Sequence, residues 1–195
     1  AAALRGQPLL APRPIAPRFA SPLDRPFRLV IAGSAGAKVR SAARLAGEAA
    51  LLSGLWAAQR DDYPITVKTG HSIAELIFSP SEIDYTGITR PDAMILLSRD
   101  GASKVGRQLA AMRAEDRVFA LPDVAGVKTS ATVRIIDPAQ APIRLGTGQV
   151  SLYSVALALK ELGVIPVEAL EAAATLRPGE DAADNAKTVR AATAS

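Results

Sequence analysis

The 195-residue chain contains no cysteine. Its own side chains can therefore form no disulfide, no zinc–thiolate site and no cysteine-held iron–sulfur centre. Aromatic residues are only 4% of the chain, so a core must be aliphatic, and much of the apolar share is alanine. His71 is the single histidine, which leaves no second imidazole to act as a base, and no cluster of His, Asp and Glu has metal-ligand spacing. No apolar run approaches the roughly 20 residues that span a bilayer. Pro8, Pro12, Pro14, Pro17, Pro22 and Pro26 interrupt any signal-peptide core. These absences lead to the expectation of a cytoplasmic protein with no membrane partner.

What is present is a globular composition, with 49% hydrophobic residues. The formal net charge of +4 suggests nucleic acid at first sight. Its distribution removes that reading. Arg5, Arg13, Arg18, Arg25 and Arg28 face only Asp24 in residues 1–28, whereas residues 29–195 carry 18 basic and 18 acidic side chains. A neutral body lacks the broad basic face that phosphate-backbone binding requires.

Residues 1–26 are rich in Pro, Arg and Ala without periodicity and read as an extended arm or linker, either solvated or wrapped on a partner. Residues 27–195 read as one domain. Phe27–Ala32 is a short apolar run closed by Gly33, which fits a buried parallel strand. Lys38–Leu52 has Val39, Ala42, Ala43, Ala46, Ala49, Ala50 and Leu51 at helical spacing and ends at Gly54. Leu55–Gln59 then reads as a second strand, and Arg60–Gly70 as a polar turn. Further strands are expected at Ser72–Ser79, Ala93–Leu97, Val118–Leu121 and Val133–Ile136. Helices are expected at Lys104–Met112, Ser151–Leu162 and Val167–Ala174, with a last short helix or frayed tail over residues 179–193. Alternation of strands and helices predicts an α/β, Rossmann-like domain with a mainly parallel sheet, a Gly-turn after the first strand and a helical C-terminus.

The turn Gly33-Ser34-Ala35-Gly36-Ala37-Lys38 lies where a strand meets a helix. Glycine lets backbone approach a ligand, a helix N-terminus offers N–H groups to an anion, and Lys38 adds a charge. The spacing is neither that of a Walker A loop nor a complete G-x-G-x-x-G fingerprint, and the expected second strand ends at Gln59 without an acidic residue. The segment Arg60–Ser72 is the densest polar cluster. Asp61 and Asp62 are neighbours that point apart in an extended chain, so they make a poor carboxylate dyad. His71 beside Ser72 has no G-x-S-x-G context, which leaves His71 as a hydrogen-bonding residue and no catalytic candidate.

Several ordered blocks together resemble a known family. They are Ile31–Gly36, Ala43–Ala50, Gly54–Gln59, Asp62–Pro64, Lys68–Glu75, Ser79–Ile83 and Pro91–Ala93. In this order they resemble the gamma subunit, or gamma domain, of 2-oxoacid:acceptor oxidoreductases, which include the pyruvate, 2-oxoglutarate and aryl-glyoxylate enzymes. The likeness runs over roughly residues 27–190. The family turn G-x-G-G-Q-G is replaced here by Gly33–Lys38, and its second-loop Arg-Gly-Gly by Lys68-Thr69-Gly70.

The resemblance implies a non-catalytic subunit of a hetero-oligomeric complex that oxidatively decarboxylates a 2-oxoacid to an acyl-CoA. Ferredoxin or NAD is the implied electron acceptor. Thiamine diphosphate, Mg and [4Fe-4S] clusters would sit on partners, namely thiamine-binding alpha and beta subunits and a Cys-rich ferredoxin-like subunit. Coenzyme A would be the co-substrate. The residues implied to face it are Gly33, Ser34, Ala35, Gly36 and Lys38, together with Lys68, Thr69, Gly70, His71 and Ser72. A stand-alone nucleotide- or CoA-binding α/β module, and a purely structural subunit, stay open beside this reading.

Overall fold

The computed structural model of the chain describes residues 15–62, 70–176, 179 and 181–194. Strand β1, Phe27–Ser34, is the apolar run expected to be buried, and Leu29, Val30, Ile31 and Ala32 are fully inaccessible. Burial on both faces follows from its place inside a six-stranded sheet ordered β2-β3-β1-β4-β5-β6. The other strands are β2 (Trp56–Asp62), β3 (His71–Ser79), β4 (Ala93–Leu96), β5 (Arg117–Ala120) and β6 (Thr132–Ile135). Parallel pairing joins β1 to β4, β4 to β5 and β5 to β6. Strand β3 runs antiparallel to both β1 and β2, so β2 is itself parallel to β1. The mainly parallel sheet is as the sequence predicts, with one antiparallel strand inserted beside β1.

Among the described residues there are six helices: α1 (Val39–Leu52), α2 (Arg99–Lys104), α3 (Gly106–Ala111), α4 (Thr147–Leu162), α5 (Val167–Thr175) and α6 (Ala182–Ala194). Single 3-10 turns occupy Pro122–Val124 and Pro138–Gln140. Period-two alternation in the strands divides the core in two. Leu29, Ile31, Leu76, Phe78 and Ile95 point to the face covered by α1, α4, α5 and α6. Val30, Ala32, Ile77, Met94 and Val118 point to the other face. Among the described residues that second face is covered by the two six-residue helices α2 and α3 and by the segments around Ile83, Ile88, Val124 and Ala131.

Two expectations are corrected. The helix expected over Lys104–Met112 is the shorter α3, and an unexpected helix, α2, precedes it: Ser98 caps α2 by accepting from the Gly101 N–H at 3.1 Å, and Val105, with φ −97° and ψ 16°, separates α2 from α3, which begins at Gly106. The second strand does not stop at Gln59 but pairs along β3 as far as Asp62 opposite Ile73, so it ends in two carboxylates. Its polar residues are tolerated because β2 is an edge strand, half of it open to water.

The described part of the N-terminal arm lies on the domain. The backbone N–H groups of Arg18 and Phe19 both donate to Leu52 O, and Ser21 Oγ donates to Val164 O at 2.8 Å. Ile15, Phe19 and Leu23 pack against the first core. Arg25 reaches Asp92 at 3.1 Å, and the same buried carboxylate accepts the Arg28 N–H at 2.8 Å, which fixes the start of β1 to the start of β4. Among the described residues no helix is long and apolar enough to cross a membrane.

Candidate functional site

The C-terminal ends of β1, β4 and β5 lie along one edge of the sheet, which is where open α/β sheets bind ligands. At this edge the two stretches singled out in the sequence meet. Gly33 stands opposite Ser72 and Ser34 opposite His71, and Ala35 N–H donates to Gly70 O at 2.9 Å. Lys68 and Thr69 lie outside the described residues. Gly33, Ser34, Ala35, Gly36, Lys38, Gly70, His71 and Ser72 therefore come together at one edge of the sheet, with Gly33 and Ser72 buried and Gly36 and Lys38 exposed, although the sequence presents them as two separate segments.

The turn is built from left-handed backbone. Gly36 has φ +83°, and Lys38, at the helix N-cap, has φ 56° and ψ 27°, an unusual conformation for a residue with a side chain. Gly33 is needed for a different reason. A Cβ there would lie 2.9 Å from Val39 Cγ2 and 3.3 Å from Leu97 Cβ, so the strand end can sit against both only without a side chain. Helix α4 holds the turn from below, with Ser151 Oγ donating to Ala37 O.

The first turn of α1 has neither an acidic residue nor a side-chain cap. The positive end of its dipole is therefore not offset by its own side chains. A cleft of about 430 Å3 opens beside it, lined by Gly36, Lys38, Arg40, Arg44, Asp61 and Ser72 among others. Asp61 binds Arg40 Nε at 3.1 Å and Gln59 Nε2 at 2.8 Å. Lys38 lays its stem on Gly148 and pairs its ammonium with Asp181 at 3.3 Å, where both groups are largely exposed. An exposed pair of this kind contributes on the order of 0–1 kcal/mol, so the ammonium exchanges Asp181 for another anion at little cost. Asp181 was not legible as a site residue, because it lies 143 positions from Lys38.

His71 is mostly enclosed, with Nε2 3.7 Å from Asp62 Oδ2. Ser72 is buried and, being the next residue on β3, faces the opposite side of the sheet, so the two make no nucleophile–base pair. Asp61 and Asp62 separate in the same way, one towards Arg40 and the other towards His71. Among the described residues no group of three or more His, Cys, Asp or Glu could hold a metal ion. What the edge offers chemically is a cleft at a helix N-terminus lined by Lys38, Arg40 and Arg44, each paired with a carboxylate, and free N–H groups at such a terminus suit an anionic group. A further close contact lies on the other face of β1. Gly101 of α2 lies so close to the end of β1 that a Cβ would come within 2.5 Å of Ala32 C and Gly33 N.

The profile of a family described as "Pyruvate ferredoxin/flavodoxin oxidoreductase" matches residues 28–195. The chain belongs to this family. Among solved structures, the gamma subunit of keto/oxoacid ferredoxin oxidoreductase from Geobacter sulfurreducens PCA matches this pyruvate ferredoxin/flavodoxin oxidoreductase family chain with a TM-score of 0.70 at 18% identity. The match covers 86% of this chain and 96% of that one. Pyruvate oxidoreductase subunit PORC from Thermotoga maritima has a TM-score of 0.62 at 17% identity, over 87% of this chain and 96% of that one. The 2-oxoglutarate:ferredoxin oxidoreductase from Magnetococcus marinus, with 2-oxoglutarate, coenzyme A and succinyl-CoA bound, has a TM-score of 0.66 at 14% identity. There the match covers 88% of this chain and 31% of that one. At these identities the likeness establishes the fold. Among curated proteins, none matches the sequence.

Proposed function

We propose that the chain is the non-catalytic gamma subunit of a thiamine-diphosphate-dependent 2-oxoacid:acceptor oxidoreductase, and that its Gly33–Lys38 turn and Gly70–Ser72 edge line the approach of coenzyme A. The observation that carries the reading is the family match over residues 28–195, on a domain whose fold is that of gamma subunits. The division of labour fits the side chains available. The chain has no cysteine with which to ligate an iron–sulfur cluster, so the clusters belong to partner subunits, and the family reading puts thiamine diphosphate and its Mg there as well. When bound there, thiamine diphosphate supplies the carbanion chemistry on the 2-oxoacid.

This chain's part is binding and assembly. Coenzyme A carries phosphate groups, and the cleft beside α1 presents Lys38, Arg40 and Arg44 at a helix N-terminus. Lys38 leaves Asp181 and meets an anion, and the αL backbone at Lys38 holds its Cα at the mouth of the turn.

The first test is a native pull-down of the chain from its source, with iron and thiamine measured on what accompanies it. Large partners carrying both are expected; a clean monomer with neither would reject the reading. The finer assignment is tested in the assembled enzyme with Lys38→Ala and Lys68→Ala. A raised apparent KM for CoA is expected, and an unchanged one sinks the assignment of this edge to CoA.

A further inference from the structure

The two faces of the sheet are unequally covered, and the thinner one carries a groove with a distinct chemistry. It runs between the α2–α3 ridge and the turn Asp123–Lys128, with a volume of about 600 Å3. Its floor is aliphatic, formed by Ala102, Leu109, Val124 and Val127. Its walls are held by backbone contacts: Arg99 Nε donates to Asp123 O at 3.1 Å, and Thr129 Oγ1 donates to Leu109 O at 3.0 Å. Arg99 and Lys128 stand on its rim. On the other flank of the same ridge, Arg60, Lys104 and Arg107 line a second hollow around the loop Thr86–Thr89. The carboxylates lining the two hollows are Asp123 and Glu75, and Glu75 is already engaged by Gln108, Arg60 and the Ile88 N–H. Among the described residues, Lys104, Arg107 and Lys128 have no ion-pair partner.

An aliphatic floor inside a charged rim is the anatomy of a protein interface. A small-molecule site needs polar groups converging on its floor, and none does so here. A second copy of the chain does not fit either. A two-fold contact sets a patch against itself, which would bring the Arg and Lys rim against its own equivalent. The domain carries equal numbers of acidic and basic side chains, so this cluster is a local excess of positive charge.

We infer that this groove seats an acidic segment of a different subunit. Its aliphatic side chains rest on Ala102, Leu109, Val124 and Val127, and its carboxylates meet Arg99 and Lys128 on the rim and, where the segment crosses the α2–α3 ridge, Lys104 and Arg107. The inference rests on the reading of the chain as one subunit of a hetero-oligomer, and it adds which face is used and the charge of the partner.

The experiment uses the complex as purified through the tagged full chain, coupled with a zero-length carbodiimide that joins lysine amines to carboxylates. Lys104 and Lys128 are expected to be joined to Asp or Glu of one partner segment that carries aliphatic residues between its acids. They are also expected to be shielded from acetylation relative to the isolated chain. If both lysines acetylate in the complex as fully as in the isolated chain, or couple only within the chain or to a second copy, the docking surface is overturned while the subunit reading stands. A chain that purifies alone overturns the subunit reading itself, and this inference with it. Gly106→Glu places a carboxylate in the groove where a Cβ meets no atom within 4 Å, so the fold is kept. It is expected to lower partner retention about tenfold, whereas Gly106→Ala leaves it unchanged. Equal retention by Gly106→Glu would also overturn the inference.

Discussion

Gly101 offers the sharpest test of how the C-terminal edge of the sheet is packed. A methyl group there would sit 2.5 Å from Ala32 C and Gly33 N and 2.8 Å from Ala32 O, all of them backbone atoms of β1. An ordinary contact begins near 3.4 Å, so α2 must retreat by about 1 Å and lift Ala102 and Val105 from the sheet. Overpacking typically costs about 1–3 kcal/mol, and the upper end applies because a central strand cannot yield. Replacing glycine by alanine inside a helix returns up to about 1 kcal/mol, which leaves a net loss of about 2 kcal/mol. For a chain of this length that lowers Tm by about 4–8 °C. Gly47 is the control. It lies inside α1, a Cβ there meets no atom within 4 Å, and its φ is not positive, so Gly47→Ala should raise Tm by about 2–4 °C. Thermal and urea unfolding followed by circular dichroism would measure both. If Gly101→Ala proved as stable as the parent, the backbone-to-backbone contact between α2 and β1 would be refuted.

Four other substitutions, at three positions, probe different parts of the fold. Glu75→Ala removes the acceptor for Gln108 Nε2 and the Ile88 N–H, and should cost about 2–3 kcal/mol. Hydrogen exchange should accelerate at Ile88, and protection there that survives would contradict the network. Lys38→Gly relieves a left-handed residue at about 1 kcal/mol and loses only an exposed ion pair, so Tm should hold or rise slightly. Lys38→Val, whose β-branched side chain tolerates that backbone poorly, should melt several degrees lower, and equal melting of the two variants would argue against the αL assignment. Phe78 is wholly buried in the first core, and Phe78→Ala should cost about 3–5 kcal/mol, read as a shift of the urea midpoint at unchanged slope.

Much of the framework was legible because it is written in local pattern. Leu29–Ala32 announces a strand buried on both faces, the alanine spacing of α1 announces its buried side, and Gly54 and Gly163 mark helix ends with positive φ. The direction of β3 was not legible. Ile73, Ala74, Leu76, Ile77 and Phe78 are buried on both faces, as a central parallel strand would be, and pairing direction leaves no trace in such a run. The break at Val105 was missed because Ser98, with Asp100 behind it, starts a helix earlier than the apolar spacing suggests. At the C-terminal edge of the sheet, the Gly33–Lys38 turn was readable from glycine and position. Its partners were not, because Lys38 finds Asp181 and Gly101 finds β1 only through tertiary packing.

The unequal covering of the sheet also orders events in time. Strand β1 sends Leu29 and Ile31 to a face whose later helices, α4 to α6, begin at Thr147, well over a hundred residues downstream. During synthesis at about 5–20 residues per second, the second face can close over α2 and α3 while half of the first stays open. The nascent chain therefore carries an apolar strip of Leu76, Phe78 and their neighbours for several seconds, sheltered by α1 alone. Closure then waits on contacts of large sequence separation, which are slow to form. Slower translation through α4 would lengthen that interval, and a chaperone acting on this protein would find its binding strip there.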